Sequence, residues 1–408
     1  MNEYTGYAVE ILSEIIRIPT VNPPGLEYKS CADVLSKRLA EIGFEVEVLE
    51  IPEEYLDKYY PYSPQHRGYP RLLIYGRRGR GGKVLHFNGH YDVVPPGSGW
   101  TKNPFTPVIE GDRIYGRGST DMKGGIAAII AALKKIQDQG LGRNLTIEAL
   151  FVPDEEAGGI GTRYYTEKIS RAPDYVVIAE PSTSERLVIG HKGLVRGLVS
   201  VYGKQAHGSA PWLGENAFLK ASKLALRFME LYEPIFASKA TNAPVDEERG
   251  RHPTINLGGY AESLSKKDNT VPGEFVFSID RRVIPEEDID HVINELREIL
   301  KKASEDVGAK HELKILSAVP PSLTPQDSLL VKVSNTCLEK ILMVRPRISI
   351  STGRNDSVYY RLKGSEVITF GPGVEGIAHM PDEYNSIREI SRSIDVYLCI
   401  ASYLDKAG

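Results

Sequence analysis

Between residues 4 and 179 the chain alternates two hydrophobic periods, and this alternation limits its fold more than any other feature. The segment MKGGIAAIIAALKKIQDQG (122–140) sets Ile126, Ile129, Ile130, Leu133 and Ile136 at helical spacing and closes on a glycine. The apolar run 145–152 reads as a buried strand, and further strands are predicted at 83–88 and 174–179. Helices are predicted at 4–17, 29–42 and 160–169, and further strands at 44–51 and 71–76. Strands alternating with helices predict an α/β layer on a mainly parallel sheet. The pattern changes at GHKG (190–193). From there the order reads strand (194–202), helix (214–232), strands (254–260 and 273–280), helix (286–306) and strand (311–317), the split βαβ layout of a small α+β domain. After VPPSLTP (319–325) the helix–strand alternation resumes and ends in a helix near 388–405. The chain's 408 residues exceed one ordinary core. The expectation is therefore one domain from 1–190 and 320–408, interrupted by a second at 191–319.

Composition excludes several functions. Lys plus Arg total 50 against 54 for Asp plus Glu, a formal charge of −4, which lacks the basic excess of a nucleic-acid binder. There is no run of 18 apolar residues, so no membrane span is expected. The start, MNEYTGYAVEILSEIIRIPTV, reads as an acidic amphipathic helix and not as a signal peptide. Three widely spaced cysteines, Cys31, Cys337 and Cys399, predict no disulfide framework and fit a reducing, cytoplasmic setting. Only five glutamines occur, a composition found in thermophiles.

Five stretches carry residues able to do chemistry. In VLHFNGHYDVVPPG (84–97) a strand ends near Gly89, and His90 and Asp92, two apart, share one face of an extended chain. A carboxylate beside a histidine fixes its tautomer, a frequent arrangement around metals; a surface histidine in a loop is the alternative. In RIYGRGSTDMKGG (113–125), Asp121 falls between a glycine-rich turn and a helix, where an acid can also serve as a cap. FVPDEEAGGIGT (151–162) drives a strand into Asp154, Glu155 and Glu156, charges that need a cation or solvent. Glu180 follows another apolar strand in VVIAEPSTSE (176–185), and His379 lies in the Gly/Pro-rich loop FGPGVEGIAHMPDEY (370–384). Most of these positions follow strand ends, where open α/β sheets build their sites. Two histidines and three carboxylates suit a pair of zinc ions with one carboxylate bridging.

As a set, GHYDVVP, YGRGSTDMKGG, PDEEAGG, AEPS and AH resemble the M20 metallopeptidases, from about residue 5 to 405. The resemblance implies a zinc-peptidase-like catalytic domain and an inserted ferredoxin-like lid or dimerisation domain. It implies His90 and Glu180 on one metal, Glu156 and His379 on the other, Asp121 bridging, Asp92 orienting His90 and Glu155 as general base. It also implies two divalent ions, most simply Zn2+ with Co2+ as the alternative, and a cis peptide at Asp121–Met122. In the inserted domain, VYGKQAHGSAPWLGENA (201–217) matches a lid segment through His207, which in dimeric members acts on the partner's scissile carbonyl. DNTVPGEF (268–275) matches through Asn269, and SIDRRVIP (278–285) through Arg282, a fork suited to a substrate carboxylate. STGRNDSVYY (351–360) matches through Gly353 and Asp356, with Arg354 and Asn355 where many members have small residues.

The implied activity is hydrolysis of N-acyl amino acids, as in acetylornithine deacetylase or succinyl-diaminopimelate desuccinylase, by a homodimer joined through the inserted domain. A dipeptidase or carboxypeptidase would use the same machinery. A catalytically silent amino-acid or peptide binder on this fold is the alternative from another class, and it sits poorly with an intact ligand set. GRRGRGGKV (76–84) fails the spacing of a phosphate loop and reads as a basic hairpin turn. YLDKYYPYSPQHRGYPR (55–71) reads as a surface loop, and His66, His86, His191, His252, His291 and His311 as structural or surface residues.

Overall fold

The computed structural model describes residues 2–169, 171–183 and 185–407. It divides into two compact units: Met1–Gly190 with Thr324–Ser349 and Asn355–Gly408, and His191–Leu323 with Ile350–Arg354.

In the first unit, four parallel strands form the middle of a sheet, in the order Leu145–Val152, Lys83–His90, Tyr175–Ile178 and Glu366–Thr369. Leu72–Arg78 and then Glu45–Glu50 extend one side antiparallel, and Arg186–His191 pairs antiparallel on the other. Every residue of Leu145–Val152 is buried, as its unbroken apolar run requires. Helix Gly124–Asp138 is buried almost all round because other helices cover its outer side: it packs against Glu3–Ile16 and Ile387–Ala407. Asn2 caps the first of these by accepting the Thr5 N–H at 2.8 Å. Because the four central strands are parallel, their carboxyl ends lie on one edge of the sheet, and that geometry gathers the site.

The second unit is a four-stranded antiparallel sheet in the order Thr254–Ser263, Glu274–Val283, Gly193–Tyr202, Lys310–Val319, crossed by helices Ala217–Ala237 and Ile289–Val307. Numbered along the chain, the strand order is 2-3-1-4, the ferredoxin-like arrangement. Its core joins Val199, Val201, Leu224, Phe228, Phe277 and Leu300. Asn216 and Asp288 cap the two helices, accepting N–H groups at 3.1 and 2.9 Å, and Gly308 ends the second with φ of 64°.

Three expectations need correction. GRRGRGGKV is no hairpin turn: the strands it joins, Leu72–Arg78 and Lys83–His90, are separated in the sheet by Leu145–Val152. The 55–71 stretch is not only a surface loop. Helix Glu53–Tyr59 runs into it, Tyr60 and His66 are buried, and Arg71 is completely buried. Finally, Cys337 and Cys399 form a disulfide. They lie 62 residues apart, so nothing local signals the pair, but helices Leu329–Leu342 and Ile387–Ala407 pack together and bring their Cα atoms to 5.7 Å. Cys31 is free and buried.

Candidate metal centre

The strand ends deliver the charged residues to one place in the first unit. His90 is the last residue of its strand and is buried. Its Nε2 lies 3.1 Å from Asp121 Oδ1 and 3.6 Å from Glu180 Oε1. His379 Nε2 lies 2.8 Å from Glu156 Oε1 and 3.4 Å from Asp121 Oδ2. Asp121 therefore turns one carboxylate oxygen to each histidine. Ligand atoms of His90, Glu155 and Glu180 fall within 4.8 Å of one another, as do those of His90, Asp121 and Glu156. Around a tetrahedral ion with bonds of about 2.0–2.1 Å, neighbouring ligand atoms are about 3.3 Å apart. The observed spacings bracket that value, so the donors fit divalent cations in both chemistry and span.

The electrostatics agree. Burial is the largest influence on Glu156, and the Asp121 charge adds to it, so its carboxyl titrates at about 7. Burial and the neighbouring carboxylates hold Glu180 well above the usual range. The hydrogen bonds that His379 donates to the Asp121 and Glu156 carboxylates push its ring up to about 10, against a smaller opposing effect of burial. Burial opposes charge on His90, yet Glu180, Asp121 and Asp92 together raise it well above an ordinary histidine.

Neighbouring residues fix these side chains. His90 Nδ1 lies 3.0 Å from the Asp92 carbonyl and 3.4 Å from its carboxylate. The same carboxylate accepts the Glu155 and Glu156 N–H groups, both at 3.2 Å, so Asp92 ties two arms of the site together. Asp154, completely buried and in the left-handed region at φ 61°, accepts from Arg71 (2.9 Å), Tyr28 (2.8 Å) and Asn22 (2.9 Å). That pairing pins the turn carrying Glu155 and Glu156. Glu383 is completely buried, accepts the Thr120 and Asp121 N–H groups at 2.9 and 3.1 Å, and pairs with Arg117 at 2.6 Å. The Asp121–Met122 peptide is cis. Lys123, also completely buried, donates to the carbonyls of Ile15 and Ile18, both at 2.8 Å. Sequence reading missed Arg71, Arg117, Lys123 and Glu383 as site supports. Glu383 stood inside the MPDEY motif, and Arg117 and Lys123 inside YGRGSTDMKGG; Arg71 carries no local signal.

The second unit brings two of the other marked residues together. Ala206–His207 pairs with Thr270–Val271, and the Gly208 N–H donates to the Asn269 carbonyl at 2.7 Å. His207 is exposed, its Nδ1 2.7 Å from Ser209 Oγ. Arg282 pairs with Asp280 at 2.8 Å. Gly353 is exposed in this unit, whereas Asp356 is buried in the first, accepting from Thr162 at 2.5 Å.

Two histidines and a set of carboxylates gathered beside the strand ends of an α/β sheet have the donor chemistry of a metal-dependent enzyme. Residues 86–403 match the model of Peptidase family M20/M25/M40, and the chain belongs to that family. It is 28% identical over 412 residues to an uncharacterised metallohydrolase of Methanocaldococcus jannaschii, covering 96% of this chain and 97% of that one. It is 27% identical over 361 residues to the succinyl-diaminopimelate desuccinylase of Nautilia profundicola, covering 86% and 92%. Among solved structures it resembles an M20 family metallo-carboxypeptidase from Sulfolobus solfataricus, with a TM-score of 0.76, 21% identity and full coverage of both chains. The protein is thus an M20 metallohydrolase.

Proposed function

We propose that this hydrolase uses two divalent ions, zinc in the simplest case, to cleave the amide of N-acyl amino acids, in the manner of acetylornithine deacetylase or succinyl-diaminopimelate desuccinylase. The observation that carries the reading is Asp121, with Oδ1 3.1 Å from His90 and Oδ2 3.4 Å from His379. A carboxylate so shared between two histidines, each with its own glutamate, is the donor set of a paired metal centre. In this reading His90 and Glu180 would hold one ion and His379 and Glu156 the other, with Asp121 shared between them. The ions would supply Lewis acidity to the amide carbonyl and lower the proton affinity of water. Glu155 takes a proton from the attacking water and returns it to the leaving nitrogen as the C–N bond breaks. Asp92 holds the His90 ring in one orientation. His207 polarises the scissile carbonyl, and Asn269, Arg282 and Gly353 are assigned to substrate recognition, with Arg282 exchanging Asp280 for the substrate carboxylate. A homodimer through the second unit and a cytoplasmic location belong to the same proposal.

A peptidase is the second reading, favoured by the likeness to the Sulfolobus solfataricus carboxypeptidase fold. Both bonds are amides beside a free carboxylate, so a panel of N-acetyl and N-succinyl amino acids against dipeptides separates them. Glu155→Gln is expected to keep both metals by elemental analysis and to lose at least 100-fold in kcat, the range of a lost general base. Full turnover in that variant would remove Glu155 from its role.

A further inference from the structure

A cavity of about 510 Å3 opens in the first unit between the sheet and helix Ile160–Lys168. It is far from the acidic cluster. Val84 lines it, and His90 is six residues further along the same strand, about 20 Å at 3.3 Å per residue. Its volume is that of a small-molecule site.

Three carboxylates, Glu47, Glu50 and Glu148, and three bases, Arg77, Lys168 and Arg171, line it, and of these six only Glu148 is buried. Glu148 lines the cavity and is 8% exposed. Its Oε1 accepts the Tyr75 hydroxyl at 2.7 Å, and its Oε2 lies 3.0 Å from His86 Nδ1. Two oxygens offer about four acceptor positions, so room for another donor remains on each. Arg77, Lys168 and Arg171 also line the cavity and bring three positive charges, the nearest of them 4.0 Å from Glu148. Lys168 and Arg171 are exposed, at the open side. Tyr164 and Tyr165 add aromatic surface to the lining. A simple anion entering here would meet three carboxylates, one of them buried, and a simple cation would meet the three bases. A molecule carrying both charges satisfies both.

We infer that this cavity binds a free α-amino acid, its ammonium on Glu148, its carboxylate toward Lys168 and Arg77, and its side chain against the two tyrosines. The inference stands on the cavity's own chemistry and does not need the proposed reaction. Calorimetric titration of the metal-loaded protein with a panel of aliphatic and aromatic amino acids tests it. At least one is expected to bind with a Kd below 1 mM. Lys168→Ala, a surface change that leaves the fold intact, and Glu148→Gln, checked by its melting curve, should each weaken that amino acid at least tenfold. Glu180→Gln, in the acidic cluster, should leave its affinity unchanged. The corresponding alkylamine and carboxylic acid should bind at least tenfold more weakly than the amino acid. Absence of binding at 10 mM overturns the inference. So does binding that Glu180→Gln abolishes and Lys168→Ala spares, or a carboxylic acid that binds as well as the amino acid.

Discussion

Three adjacent acids at one strand end have different tasks, and Asp154 shows how burial divides them. Glu155 and Glu156 face the cluster, while Asp154 turns inward to Arg71 with neither side chain reaching solvent. Burial, with the Asp92 charge adding to it, raises the Asp154 carboxyl to about 6, although Arg71 and Tyr28 pull it down. Arg71→Ala would leave that carboxylate buried without its cation, a loss of about 3–5 kcal/mol. The sign of its pH dependence follows. A folded-state pKa above the unfolded value means the native state binds the extra proton, so this group's contribution falls as pH rises through the interval from about 4 to 6. Without Arg71 the carboxyl is raised further, and the penalty of the substitution grows with pH. Urea unfolding of the variant should show a smaller loss at pH 5 than at pH 8; equal losses would mean the carboxyl stays neutral throughout. The acids Glu155, Glu156 and Glu180 stood out in the sequence because a strand running into charge is conspicuous, and Asp121 because it falls between a glycine-rich turn and a helix. Arg71 did not, because its partner is 83 residues away and a lone arginine beside prolines looks like surface.

At the scale of elements, glycines decide how closely helix and strands approach. A Cβ on Gly125 would lie 2.2 Å from the Ala179 carbonyl oxygen, and one on Gly371 would lie 2.1 Å from the same atom. Helix Gly124–Asp138 and the 370–373 segment thus both press on Ala179, the residue before Glu180, and the Ala179 N–H donates to the Asn88 carbonyl at 3.0 Å. Gly125→Ala must push that strand end aside, at a cost of about 1–3 kcal/mol, and move Glu180 with it. Metal titration is expected to show at least tenfold weaker affinity for one ion of the pair and little change for the other. Equal weakening of both would show that the displacement spreads beyond Glu180. The elements themselves were legible because period and length agreed: the strand at 145–152 and the helix after Asp121 follow from their apolar spacing. Strand neighbours were not. The sheet inserts Leu145–Val152 between two strands joined by a four-residue link, Gly79–Gly82, and no local pattern encodes that crossing. Helix Glu53–Tyr59 was masked by the tyrosines and prolines around it.

For the whole molecule, the change of period near residue 190 marks two units that each carry a core, and their stabilising devices are unequal. The acidic cluster and the Cys337–Cys399 disulfide both belong to the first unit. The second has a hydrophobic core under two helices and, among the described residues, no disulfide. Closing a loop of 62 residues restricts the unfolded chain by about 4 kcal/mol in the chain-entropy account. Bound metals add stability in proportion to their saturation, because only the folded unit presents the ligands together. Cysteine spacing pointed away from this pairing, since a link between distant helices is visible only once they pack. Calorimetric melting should therefore resolve two transitions in this two-unit chain. Thiol reductant and chelator should each lower one of them, and the same one, while the other stays within a degree. The double variant Cys337→Ala/Cys399→Ala should reproduce the reductant's shift and be insensitive to it. If both transitions fell together under chelator alone, the units would melt as one body and the cluster would be stabilising the entire chain.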